Sequence, residues 1–275
     1  MRNGRLHAAS HLADICVKQA YALDDTTSLA RALTCKAGIA TSKGNVDEAI
    51  DGHTAASAVL AHRGDPAASA FNKLNVASLL ATRGDTMAAR NLLEEAIPVA
   101  QGSAWRVLIG RGISSDVCRA EGDFENSQSL AMEALALARK HNYTRMEAHV
   151  RDMLAETALE FGYAGDASIN IVLALVLYAR ICNMQYLIPA ICRLGRVLFL
   201  RGECETAHGV FTWGLEWSRR AGMVGVQAGC LVGLAELQEA AGEHDYKAWE
   251  EALSMSERTS ESRLANKCRY WLSVH

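Results

Sequence analysis

The sequence predicts an all-α fold, an α-solenoid of helix-turn-helix repeats over residues 1–275. Three observations predict it. A glycine followed five residues later by a small residue recurs at Gly44/Ala49, Gly84/Ala89, Gly122/Ser127, Gly162/Ala167 and Gly202/Ala207. Gly242 keeps the beat, with Lys247 in fifth place and Ala248 one step late. The glycine intervals are 40, 38, 40, 40 and 40 residues, a period that marks stacked supersecondary modules. Two more columns are small throughout. Seven residues before the glycines stand Ala37, Ala77, Ser115, Ala155, Gly195 and Ala235; twelve after them stand Ala56, Ala96, Ala134, Ala174, Gly214 and Ser254. Finally, half the residues are apolar, only 6% are aromatic and only three are proline, a balance suited to packed helices.

Each repeat follows one plan. A first helix of about 14 residues ends at the glycine, which enters the left-handed region at little cost. An acid or amide often follows (Asn45, Asp85, Asp123, Glu203, Glu243), suited to the start of a second helix. The second helices are expected to stop at Gly64, Gly102, Asn142, Asn183 and Gly222. Pro66 and Pro189 fall at connections, whereas Pro98 should end or bend its helix. These signals divide the chain into a half repeat at 1–23 and hairpins at 28–66, 67–104, 105–143, 144–184, 185–224 and 225–262, with a capping helix at 263–275. The chain thus starts and stops inside a repeat, which fits either capping end helices or a segment of a longer protein.

Small residues in register let paired helices approach closely while larger neighbours fill the sides. On first helices these include Ile39, Leu79, Val117, Val197 and Leu237; on second helices, Ile97, Leu135, Leu175, Leu215 and Met255.

The bulk properties exclude several functions. A net charge of -3 with dispersed Lys and Arg argues against a nucleic-acid groove or anionic membrane attachment. No run of 18 apolar residues and no apolar leader occur, so a cytoplasmic protein is expected. The eight cysteines form no CxxC pair; their spacing favours buried free thiols, Cys16 and Cys118 among them, over a disulfide framework or zinc site. His7 and His11 share a helix face, but Ala8, Ala9 and Ser10 between them supply no acid, and no metal or cofactor is expected. No nucleophile elbow, phosphate loop or dinucleotide turn is present. A non-enzyme is the expectation.

The Gly-Asp/Asn-x-x-x-Ala turn and its two flanking columns resemble the tetratricopeptide repeat (TPR) family over essentially the whole chain. The repeat of about 40 residues, against the usual 34, resembles the longer variety of kinesin light chains and of MalT-type bacterial regulator sensor regions. The early aromatic is mostly replaced (Lys73, Arg111, Arg151) and the closing proline is absent. The resemblance implies a right-handed superhelix whose first helices line a concave groove. The groove-facing residues it implies include Phe71, Leu74, Ser78, Asp116, Arg119, His149, Asp152, Glu156, Arg196, Phe199 and Glu236. The carboxylate clamp of chaperone-adaptor members is not matched, since Thr34, Leu74, Gly112, Gly38 and Ser78 occupy its places.

The function expected is a non-enzymatic scaffold or adaptor binding a peptide or protein segment in that groove. The alternative is an effector-sensing TPR region of a larger bacterial signalling ATPase or transcriptional regulator, with a small molecule as a further ligand. Trp217 aligns with core positions, whereas Trp213 aligns with Glu95 and Glu133; the Trp213 face is therefore the expected contact for a second copy of the chain.

Overall fold

The computed structural model describes residues 2–259 and 262–275, with side chains for all of these except 2–7, 42, 100, 262 and 263. The described residues contain helices and no strand. The chain divides into two compact units, one ending at Gly122 and one beginning at Asp123.

The first unit contains α1 (Arg2–Ala22), α2 (Thr26–Lys43), α3 (Val46–His62), α4 (Pro66–Arg83), α5 (Thr86–Ala100) and α6 (Ala104–Ala120). Each helix packs on the next, and α4 also meets α6. The second unit contains α7 (Phe124–Lys140), α8 (Thr144–Glu160), α9 (Ala164–Arg180), α10 (Met184–Leu200), α11 (Cys204–Ala221), α12 (Val224–Ala240), α13 (Tyr246–Arg258) and α14 (Ser262–Val274). Neighbours again pack in sequence, and contacts between alternate helices join α8 to α10, α10 to α12 and α12 to α14. The first helices of successive repeats therefore form a layer of their own. First helices with a preceding and a following partner run 17 or 18 residues, longer than the expected 14.

The repeated turn has a simple cause. Gly44, Gly84, Gly122, Gly162, Gly202 and Gly242 all adopt φ between +79° and +89°, where a Cβ would be strained. The amide of the next residue then bonds back into the helix, as from Asp85 to the Leu80 carbonyl at 2.9 Å, in the manner of a Schellman closure. Asp85 and Asp123 then cap the following helix by accepting from the amides of Ala88 and Asn126. Asn45 and Glu203 make no such side-chain bond, and at the last turn Asp245 replaces Glu243 as the cap.

The small columns are the centre of the packing. Ala37, Ala77, Ala155, Ala56, Ala134 and Ala174 are fully buried. Ser254 is the exception: it is exposed, and Ala252 and Ser256 are buried instead. The longer connection before α13 shifts the register there, which also explains the displaced Ala248. The second-helix stops differ in two places. Cys182, not Asn183, takes the left-handed conformation, and Gly102 has no positive φ. Pro189 lies inside α10 rather than at its connection, and Pro98 is inside α5, which ends two residues later.

The cysteines are free, but only Cys118, Cys192, Cys230 and Cys268 are buried; Cys16, Cys35, Cys182 and Cys204 are exposed. Cys16 thus lies on the outer face of α1, contrary to the buried reading. No helix among the described residues is long and apolar enough to cross a membrane. The side chain of His7 lies outside the described residues, and its partner His11 is exposed.

Candidate functional site

The residues expected in the groove fall on first helices of both units. In the first unit, Phe71 and Ser78 are half-buried on α4, but Leu74 is fully buried. Its side chain packs with Val76, Leu80, Leu93 and Val117, so Leu74 belongs to the core and not to an open face. On α6, Asp116 accepts from Arg119 at 3.1 Å across one helical turn. A separate cleft of 270 Å³ opens between α5 and α6, lined by Arg90, Leu93, Glu94, Ile97, Pro98 and Val117 with Ser114.

The second unit gathers the more unusual set. Asp152 on α8 is 2% exposed, contrary to its expected place on a solvated groove surface. It is held by Arg193 of α10, whose Nε donates to Oδ1 at 2.5 Å and whose Nη2 donates to Oδ2. A two-pronged guanidinium–carboxylate bond satisfies the charge that burial leaves. Burial opposes the Arg193 charge, but Asp152 and Glu156 together raise its pKa, so the guanidinium stays protonated.

Tyr178 of α9 sits beside this pair, fully buried. Burial first, then the Asp152 charge, raises its pKa, which keeps the phenol neutral. Its hydroxyl nevertheless completes no well-formed hydrogen bond. The Tyr178 ring stacks on Tyr186 at 5.6 Å, and Tyr186 meets the edge of His149 at 5.8 Å. His149 Nδ1 is also buried without a hydrogen-bond partner. Asp152, Arg193, Tyr178, Tyr186, His149 and Glu156 thus form one polar and aromatic cluster spanning α8 to α10.

The rest of the expected stripe is more dispersed. Arg196 is half-buried on α10; Phe199 is half-buried and packs with Phe211 and Leu237. Glu236 on α12 pairs with Lys267 of α14. Sequence reasoning missed Arg193, Tyr178 and Tyr186. Arg193 lies nine residues before Gly202, one step off the stripe, and its only signal was the acid placed in the preceding first helix. On α11 the tryptophans reverse the expectation: Trp217 is 37% exposed while Trp213 is half-buried. Their rings are 5.6 Å apart, and Arg220 covers Trp217 at 5.4 Å.

Comparison with solved structures defines the class: the chain has the TPR-like α-solenoid repeat fold. A Rap protein solved in complex with competence and sporulation factor superposes with a TM-score of 0.66 at 15% identity, covering 90% of this chain and 74% of that one. The apo form of RapI gives a TM-score of 0.61 at 13% identity, over 90% and 99% of the two chains. Aspartyl phosphate phosphatase F from Bacillus subtilis gives 0.59 at 14% identity, over 96% and 74%. The last likeness overturns the expectation of a non-enzyme, because helical repeats of this fold also occur in a protein named as a phosphatase. No family model matches the chain, and no curated protein is similar to it in sequence.

Proposed function

We propose that the chain is a regulatory, protein-binding solenoid that seats a peptide or protein segment on the first-helix layer of its second unit. The observation that carries this reading is the Asp152–Arg193 clasp between α8 and α10. It fixes the spacing of two first helices while Glu156 and Arg196 stand half-exposed beside it. A rigid layer with charges of both signs favours a segment that is itself of mixed charge. The Rap protein in complex with competence and sporulation factor supports the reading by fold. Phe71, Ser78, Asp116 and Arg119 form the corresponding surface of the first unit under the same proposal. The 40-residue glycine interval supports the longer TPR variety and a single repeat array over 1–275.

Affinity purification from the native cell, with quantified partners, tests it. Glu156→Lys combined with Arg196→Glu is expected to strip the partner captured by the wild type and leave the helical spectrum unchanged. Undiminished capture overturns the assignment. Asp152 is unsuited to this test because its loss would disturb the core.

The second reading, an effector-sensing region, is favoured by the cleft between α5 and α6. Its apolar lining, with Arg90 and Glu94 at the edge, suits a small amphipathic effector. Thermal-shift screening with Leu93→Arg as control tests it. Self-association through the tryptophan face is proposed around Trp217 rather than Trp213; sedimentation of Trp217→Ser against the wild type decides it.

A further inference from the structure

We infer that Glu239, His244 and His275 form a Zn2+ site at the end of the second unit. Glu239 is near the end of α12, His244 lies in the connection to α13, and His275 follows α14. One ligand atom from each lies within 4.8 Å of the others. His275 Nε2 is already 3.3 Å from Glu239 Oε1, close to the ligand–ligand edge of about 3.3 Å in a tetrahedral zinc site with bonds near 2.05 Å. His244 is exposed, so its imidazole can turn inward to complete the triangle.

The surroundings are arranged as a zinc site requires. His275 Nδ1 is 3.2 Å from the Trp271 carbonyl. A carbonyl only accepts, so Nδ1 is the donor there, and Nε2 is the ring nitrogen turned toward Glu239. Trp271 Nε1 donates to the same Glu239 oxygen, Oε1, at 2.7 Å, fixing the position of the carboxylate. The His275 ring lies flat on Trp271 at 4.5 Å, and Trp271 lies flat on the buried Trp249 at 4.8 Å. Tyr246 donates its hydroxyl to the His275 carbonyl at 3.1 Å. Two imidazoles and one carboxylate are a donor set suited to Zn2+, with the fourth position left to water. The spacing of 5 and 31 residues matches no linear motif, which is why the sequence suggests no metal there.

Calorimetric titration of the chelator-treated full chain with ZnCl2 tests the site. One Zn2+ per chain is expected, with a rise in melting temperature on binding. His244→Ala and His275→Ala should each weaken binding at least about tenfold and abolish the rise, with unchanged helix content; His244→Ala should also leave melting in EDTA unchanged. His244 is exposed, so His244→Ala leaves the core intact, whereas His275→Ala, which removes a ring stacked on Trp271, is compared with its own melting in EDTA. Absence of saturable binding overturns the site. Binding that persists in both variants also overturns it and moves the zinc to the exposed cysteines or His11.

Discussion

Arg193 reaches back 41 residues to clasp Asp152, and in doing so ties α10 to α8 through a nearly solvent-free carboxylate. Asp152→Ala is expected to cost about 3 kcal/mol, the lower end for a broken buried pair, since the Arg193 side chain is 25% exposed. Asp152→Leu together with Arg193→Met should recover most of that loss, because no unmatched charge is left behind. Urea unfolding of the two variants measures the difference.

Phe211 is 1% exposed and lies between two glycines. A Cβ on Gly233 would stand 2.4 Å from the ring, and one on Gly195 would stand 2.8 Å from it. Gly233→Ala should therefore destabilise the second unit by about 1–3 kcal/mol. Adding Phe211→Leu should relieve part of the cost. Thermal melts of the single and double variants check this coupling.

His53 is 5% exposed in the first unit and its Nδ1 donates to Asn72 Oδ1 at 2.9 Å. Burial lowers its pKa below the ordinary 6.5, and the Asn72 bond opposes that only in part. The folded chain thus keeps His53 neutral where the unfolded chain would protonate it. Its contribution to stability is present above pH 6.5 and is lost as pH falls through the lowered value. Unfolding between pH 7.5 and 5.5 should show this decline, and His53→Gln should flatten it.

Thiol labelling provides a direct check on helix orientation. Cys16, Cys35, Cys182 and Cys204 should react with a maleimide in the folded chain, whereas Cys118, Cys192, Cys230 and Cys268 should react only after unfolding. Burial raises the Cys268 pKa to about 11, reinforcing its protection. Mass spectrometry before and after denaturant counts the labelled sites.

The fold was legible because its determinants are local. Gly44, Gly84, Gly122, Gly162 and Gly202 sit at left-handed turns, and the alanines beside them sit at helix crossings. Both requirements act on single positions at a fixed distance, so periodicity exposes them. The site was only partly legible. The stripe rule located Asp152 and Glu156 but treated them as surface groups, because charge alone does not reveal a partner 41 residues away. Leu74 was misplaced for the same reason: its neighbours on α5 and α6 bury it, and no spacing within α4 states that. The tryptophan reversal on α11 has a similar origin, since repeat alignment averages over neighbours that differ in bulk. The zinc candidate brings together a helix end, a connection and the last residue of the sequence, which only folding juxtaposes.

Within each unit a helix leans on its sequence neighbours and, in the first-helix layer, on the next helix but one. Damage should therefore stay near where it is inflicted. A weakened α14 would peel away before α8 noticed, and hydrogen exchange should record a gradient along the second unit instead of a single collapse.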